Sequence, residues 1–305
     1  MAIQARNRVF STSHLFASTG RPRFMAVFVG YFDASGDLED PSTHVLSVAG
    51  WIAPEAKWRR LERAWKKICD REGVSGLHMK EFAHFQGEYR DWKGDELRRQ
   101  KFLSDLAGVI HSHTNRDFSQ SLFLDGYRAI DAQFRFHEHV GHPYAIGAWR
   151  CISKVREWMA KKHPSDDVLF VFEKGDAHQE DLIRLLRVDN IDLGIEPQFM
   201  KKRWKVGNVI RTVPALECAD FMAYEQHKNL TDIYLKKRKR ARGSLWALAG
   251  RGNHLGQHAR RWSMLDGRFF ESLVTAMKVP RRAGVPRSPI PHEFDMVEGI
   301  GPQLR

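Results

Sequence analysis

The chain has 305 residues, of which 42% are hydrophobic and 28% are charged, and it contains nine tryptophans. This composition excludes a disordered chain, and the length is sufficient to bury the core of one large domain or two small ones. No segment approaches the run of about 20 apolar residues that spans a bilayer. The formal net charge of +12 favours an anionic partner, of which nucleic acid is the most common.

The three cysteines, Cys69, Cys151 and Cys218, are far apart in the sequence and form no CxxC pair. This spacing argues against a disulfide framework and against a cysteine zinc site. We therefore expect a soluble protein of the reducing cytoplasm.

The first 24 residues contain arginine and serine but no Asp or Glu. Such a segment fits an organelle transit peptide, a flexible extension, or a start codon misassigned ahead of Met25. Because the residues after Met25 begin a strand immediately, we favour a disordered extension or a misassigned start. Met1 and Met25 both stay open as the first residue.

The next part of the chain, residues 25–230, is predicted to form a mixed α/β domain. Strands at 26–33 and 43–53 are joined by a short turn and are expected to pair as an antiparallel hairpin. A helix over 54–73 follows, with Pro near its start and Gly after its end. The remaining predicted elements are a helix at 95–113, a strand at 118–125, a helix at 144–162, a strand at 166–176, a helix at 178–188, a short strand at 197–202 and a helix at 215–229.

Residues 231–305 form a basic C-terminal region. The run "KKRKRARG" starts at Lys236, no acidic residue occurs before Asp266, and the chain beyond Val279 is rich in Pro, Arg and Gly. A run of this kind can neutralise phosphates with an affinity that falls with salt and carries no sequence specificity. The residues predicted to contact nucleic acid are Lys236, Lys237, Arg238, Lys239, Arg240 and Arg242.

Three carboxylates occupy positions where a charge is unexpected. Asp33 ends the first buried strand, Glu173 ends the strand "VLFVFE", and Asp220 lies within the apolar face of the last helix of the domain. An ionised carboxylate that faces a core is costly unless a cation or a metal neutralises it. If the two strands are neighbours, their acids meet at one end of the sheet and the helix adds the third.

Each acid also has a purely structural explanation. Asp33 is typical of a turn, and Glu173 could belong, with Asp176, to a polar strand end. Asp220 could pair with a basic residue, the choices being Lys202, Lys205 and Arg211. If the acids do converge, their mutual repulsion favours a hard divalent cation, and two such ions about 4 Å apart can support phosphodiester cleavage.

Four segments in order, "YFDASGD", "LHMKEF", "FEKGD" and "PALECADFMAYE", resemble the bacterial family catalogued as DUF3800. The similarity covers about residues 26–228, and members of that family look like ribonuclease H-type folds. The resemblance implies a ribonuclease H-like mixed sheet flanked by helices. Ala34 stands where the family usually has Glu, and Glu217 replaces the usual Gln one turn before Asp220.

Carried over residue by residue, the resemblance implies a Mg²⁺ or Mn²⁺ site. Its expected ligands are Asp33, Glu173 and Asp220, with Glu81 or Asp176 as a fourth. His78 or Lys205 is expected to handle a proton or a phosphate, although packing explains His78 equally well.

Two histidine clusters, "HSH" at 111–113 and "HEHVGH" at 137–142, suggest a zinc site. The second is not an HExxH motif, and His137 and His139 are too close in sequence to share a helix face. We interpret these histidines as surface or loop residues, some of which could line a substrate groove.

The sequence therefore favours a metal-dependent nuclease that hydrolyses phosphodiester bonds of nucleic acid. Two alternatives stay open: a non-catalytic nucleic-acid-binding module on the same fold, and a metal-dependent phosphatase acting on small phosphate esters. RNA, DNA and a hybrid are equally open as substrates, and the sequence indicates no oligomeric state.

Overall fold

The structure is a computed structural model that describes residues 27–292 except 177, 190, 192, 195, 208, 236, 238–241 and 250–261. The predicted N-terminal extension lies outside the described residues. The strands are β1 Val27–Ser35, β2 Val45–Pro54, β3 Arg116–Phe123, β4 Asp167–Glu173, β5 Gln198–Met200, β6 Arg203–Val206, β7 Val209–Thr212 and β8 Trp262–Leu265. The helices are α1 Glu55–Glu72, α2 Met79–Ala83, α3 Glu96–His113, α4 Leu124–Phe134, α5 Phe136–His139, α6 Pro143–Lys162, α7 Gln179–Val188, α8 Pro214–Tyr234, α9 Gly243–Ala249 and α10 Gly267–Ala276, with a 3₁₀ helix at Gly87–Trp92.

Six strands form one mixed sheet in the order β5-β4-β1-β2-β3-β8. β2 runs antiparallel to β1 and β3, whereas β4 runs parallel to β1 and β5, and β8 runs parallel to β3. Helices cover both faces of this sheet. The predicted α/β class, with a mixed sheet flanked by helices, is confirmed, and its ribonuclease H-like character stays a prediction.

Alternation along β1 divides the core between the two faces. Val29 and Tyr31 pack towards α1, α3 and α8, and Phe28 and Phe32 pack towards α6 and α7. Both sets are buried, as expected for a central strand whose apolar residues run almost without interruption. The parallel register places Phe32 opposite Phe172, so the residues that follow them in β1 and β4 are also neighbours.

The predicted hairpin and the long helices of the domain are confirmed, whereas several elements were not predicted. The segment "LHMKEF" divides into an extended stretch and the short helix α2. α4 starts directly after β3 without a side-chain N-cap, so no capping residue in the sequence predicts its start. β6 and β7 form a separate two-stranded ribbon just before α8.

The described part of the basic C-terminal region adds α9, β8 and α10 to the layers formed by the preceding chain. β8 extends the sheet beside β3, and α10 contributes Phe270 to the core shared with α4. All three cysteines are free and buried. Among the described residues, no helix combines the length and apolarity needed to cross a membrane.

His227 connects α8 to the turn between β1 and β2. Its Nδ1 lies 2.9 Å from the Val45 carbonyl oxygen, and it packs over Gly36, whose φ of +111° explains the glycine. Burial lowers the pKa of His227 to about 4. The imidazole is therefore neutral in the folded protein at neutral pH.

We expect this histidine to make stability depend on pH. The unfolded chain takes up the proton near the ordinary pKa of about 6.5, so stability is lost as pH falls from there towards 4. Between pH 7 and pH 5 the wild type should lose about 2 kcal/mol more than His227→Asn, which keeps a donor for Val45. Urea unfolding of both proteins at the two pH values measures this difference, and parallel curves would contradict it.

Candidate metal centre

Three acids predicted from the sequence converge on one buried ammonium group. Lys202 Nζ lies 2.8 Å from Asp33 Oδ2, 2.5 Å from Glu173 Oε2 and 3.2 Å from Asp220 Oδ2. Lys202, Asp33 and Asp220 are each less than a tenth exposed. The three carboxylates therefore already surround a cation in a site that is largely shielded from water.

The fold brings these side chains together from separate parts of the chain. Asp33 follows Phe32 in β1, and Glu173 follows Phe172 in the neighbouring parallel strand β4, so both acids lie at the same edge of the sheet. Asp220 comes from the second turn of α8, which packs across β1 and β2. Lys202 lies between β5 and β6, and its backbone carbonyl accepts a hydrogen bond from Val213 just before α8.

The charges of the centre perturb one another. Burial lowers the pKa of Lys202, but the carboxylates of Asp220, Asp33 and Glu173 outweigh it and hold that pKa well above its ordinary value. Burial and repulsion from Asp220 and Glu173 raise the pKa of Asp33, and Lys202 opposes them. Three carboxylates and one ammonium leave a formal charge of −2 when all are ionised, which favours a further cation.

Asp176 is a fourth acid near this centre. Burial, followed by repulsion from Asp33, raises its pKa to about 7. Its Oδ2 atom is buried without a hydrogen-bond partner among the described residues. A buried carboxylate oxygen without a partner is costly, and a bound cation or the group it carries would relieve that cost.

Two acids on one face of α8 hold the extended stretch before α2. Glu217 Oε2 accepts hydrogen bonds from the Trp65 indole at 2.6 Å and the Leu77 backbone N–H at 3.0 Å. Asp220 Oδ2 accepts the Met79 backbone N–H at 3.0 Å. These bonds hold His78 at the edge of the acidic centre.

His78 lies at this edge with its Nδ1 atom 3.7 Å from Asp220 Oδ2. That nitrogen is buried and has no hydrogen-bond partner within the described parts of the chain. Burial lowers the pKa of His78 below its ordinary value, although the Asp220 charge opposes the shift. A neutral imidazole at this place can accept a proton from a nearby group.

The structure does not bring every predicted residue to the centre. Glu81 Oε2 lies 2.8 Å from Arg203 Nη1, and Lys205 is exposed on the β6–β7 ribbon.

Arg242 lies 2.8 Å from Glu225, a buried acid of α8, and Lys237 is exposed. The other predicted nucleic-acid contacts, Lys236, Arg238, Lys239 and Arg240, lie outside the described residues. The roles assigned to all of these residues stay predictions.

Sequence reasoning named Lys202 only as one of three partners that Asp220 could have. It lies in the pair "KK" at 201–202, where the first lysine is exposed and the second is buried. Both lysines lie between β5, which ends at Met200, and β6, which begins at Arg203, so no alternation within a strand distinguishes them.

Glu217 yields a prediction about pH. Burial raises its pKa to about 7, so the folded protein takes up a proton more readily than the unfolded chain and stability falls as pH rises through 7. Glu217→Gln keeps an acceptor for Trp65 and Leu77 but does not titrate. Between pH 5.5 and pH 8, the wild type should lose about 2 kcal/mol of stability relative to this variant. Urea unfolding at both pH values checks it, and an unchanged difference between the proteins would contradict it.

The donor set fits a hard divalent cation. Mg²⁺ and Mn²⁺ prefer oxygen ligands, and three carboxylates from rigid elements already surround a positive charge here. The residues that would hold such an ion are Asp33, Glu173 and Asp220, with Asp176 next to them.

The chain matches no family profile and no curated protein, so the resemblance to DUF3800 stays a prediction. A solved structure that it resembles is the crystal structure of Bst-RNase HIII in complex with Mn²⁺. The identity is 11% and the TM-score 0.36, and the match covers 89% of this chain and 70% of that one.

Proposed function

We propose that this protein is a divalent-metal-dependent nuclease that hydrolyses phosphodiester bonds of RNA or DNA. The observation that carries the proposal is the convergence of Asp33, Glu173 and Asp220 on a single buried cation position. Buried acids from two strands and a helix repel one another unless a cation lies between them. The net charge of +12 supports a polyanionic substrate.

Divalent ions held by these carboxylates would activate a water molecule and stabilise the leaving oxygen of the phosphodiester. Lys202 would supply a positive charge beside them, suited to pairing with a phosphate oxygen. His78, which burial keeps neutral, would accept or deliver a proton at Nδ1. Glu217 and Asp220 would position His78 through their hydrogen bonds to the backbone on either side of it.

A second candidate function is a non-catalytic nucleic-acid-binding module. One observation favours it: Lys202 pairs with all three acids, which gives them a structural partner without any metal. In that case the acids stabilise the fold, and the basic residues carry the function.

The test is cleavage of labelled single-stranded RNA, single-stranded DNA and an RNA–DNA hybrid by the full chain in Mg²⁺, Mn²⁺ or EDTA. We expect cleavage in Mg²⁺ or Mn²⁺ and none in EDTA. The strand that is cleaved identifies the substrate. Salt-sensitive binding of the strands without cleavage would support the second candidate. Hydrolysis of p-nitrophenyl phosphate without cleavage of any strand would replace the nuclease by a metal-dependent phosphatase.

A further inference from the structure

A separate group of metal-ligating side chains lies where α6 and α7 begin. It comprises His142, which precedes α6, His178, which precedes α7, and Asp181 in the first turn of α7. Ligand atoms of the three residues all lie within 4.8 Å of one another. All three are half-buried, so an ion could reach them from solvent.

The contacts within this group are close. The rings of His142 and His178 stack with their centroids 3.4 Å apart and their planes 6° from parallel. Asp181 Oδ2 lies 2.7 Å from His142 Nδ1 and accepts the His142 backbone N–H at 3.1 Å. Histidine and carboxylate groups are thus already placed against one another without any ion between them.

His178 has an unusual backbone conformation. Its φ is +64°, in the left-handed region that residues other than glycine enter at a cost. Among the described residues its ring makes no hydrogen bond, and its contact is the stack on His142. A strained backbone that holds an imidazole with no hydrogen-bond partner points to a ligand of that imidazole.

Hydrogen bonds from neighbouring residues keep the Asp181 carboxylate ionised. Burial raises the pKa of Asp181, but hydrogen bonds from His142 and Arg184 hold it below its ordinary value. Arg184 donates to Asp181 Oδ1 at 2.9 Å and also to the carbonyl oxygens of residues 137–139. The other oxygen of Asp181 faces the histidine.

We propose that His142, His178 and Asp181 form a zinc-type metal site, distinct from the centre at Lys202. Imidazole nitrogen suits Zn²⁺ and its neighbours in the first transition row, whereas Mg²⁺ prefers oxygen. In a tetrahedral zinc site with bonds of about 2.1 Å, ligand atoms lie about 3.4 Å apart. Zinc binding would require the two rings to rotate out of their parallel stack, and three protein ligands would leave a fourth position for water.

This site would link α6, α7 and the turn that contains Glu173 and Asp176. His178 follows the turn that carries Glu173 and Asp176, and Gln179 Nε2 donates to the Glu173 carbonyl oxygen at 2.7 Å. An ion held by α6, α7 and this turn would fix the turn against both helices. Binding of this ion does not depend on whether the acids catalyse a reaction.

The test is a calorimetric titration of the metal-free full chain with Zn²⁺, together with the visible absorption of added Co²⁺. The decisive variant is His178→Gly, which removes the imidazole and suits the left-handed backbone, so it should fold at least as well as the wild type. His139→Ala is the control, because His139 is an exposed histidine of the same region. Asp220→Asn tests whether zinc binds at the acidic centre instead.

We expect the wild type, His139→Ala and Asp220→Asn each to bind Zn²⁺ at this histidine site and to melt at a higher temperature with it. His178→Gly should lose at least about tenfold in zinc affinity, the Co²⁺ absorption of a tetrahedral site, and the rise in melting temperature. Equal zinc binding by His178→Gly and His139→Ala would overturn the proposal. So would zinc binding that Asp220→Asn alone abolishes, since the ion would then belong to the acidic centre.

Discussion

Replacement of Lys202 by methionine is expected to destabilise the protein by about 3–5 kcal/mol when divalent ions are absent. The substitution keeps a long apolar stem but removes the ammonium that lies within 3.2 Å of three carboxylates. Asp33, Glu173 and Asp220 would then share a buried space with no counter-charge. The measurement is urea unfolding in EDTA, compared with the wild type.

The same variant should respond strongly to metal. If the carboxylates are a metal centre, removal of the competing ammonium raises their affinity for Mn²⁺, and millimolar Mn²⁺ should restore much of the lost stability. Lys201→Met is the matched control, because Lys201 is exposed beside Lys202 in the sequence. A loss of stability that Mn²⁺ does not reverse would show that Lys202 is the permanent partner of these acids and favour the non-catalytic module.

Asp33→Asn and Asp220→Asn are each expected to reduce metal-dependent cleavage by about a thousandfold. Each substitution removes one charge from the centre and keeps an oxygen. The asparagine at 33 can still accept the Ala34 N–H, and the one at 220 can still accept the Met79 N–H. The local backbone contacts therefore persist, and the expected loss reports on the carboxylate charge.

The control for these acids is Asp37→Asn, an exposed acid in the turn after β1. It should cleave the substrate at the wild-type rate, measured under single-turnover conditions in Mn²⁺. Full activity in Asp33→Asn and Asp220→Asn would mean that a contaminant or a different site is responsible.

The strand ends were the most predictable part of the centre. Alternation in "VFVGYFD" and "VLFVFE" identifies the face that each acid shares with its neighbours, and parallel pairing of β1 with β4 then brings Asp33 and Glu173 together. Asp220 could be found because a charge interrupts a helix face that is otherwise apolar or small. These inferences depend on local periodicity, which a single sequence carries.

The parts that depend on distant pairing could not be read from the sequence. Lys202 reaches the acids because β5 pairs with β4 and Val213, just before α8, donates a hydrogen bond to the Lys202 carbonyl oxygen. β8 pairs with β3, more than a hundred residues earlier in the chain. His142 of "HEHVGH" joins a group of possible metal ligands with His178 and Asp181. His178 precedes α7 and Asp181 lies in its first turn, about 40 residues later in the chain.

Binding of Mn²⁺ to the metal-free protein, followed by electron paramagnetic resonance, tests whether Asp33, Glu173 and Asp220 form a divalent-metal centre, as we claim. We predict saturable Mn²⁺ binding in the wild type that is weakened at least about tenfold in Asp33→Asn and Asp220→Asn. Asp37→Asn and His178→Gly should bind Mn²⁺ as the wild type does. Absence of saturable binding in the wild type, or equal binding in the two acid variants, would contradict the claim and leave Lys202 as the only cation of the site.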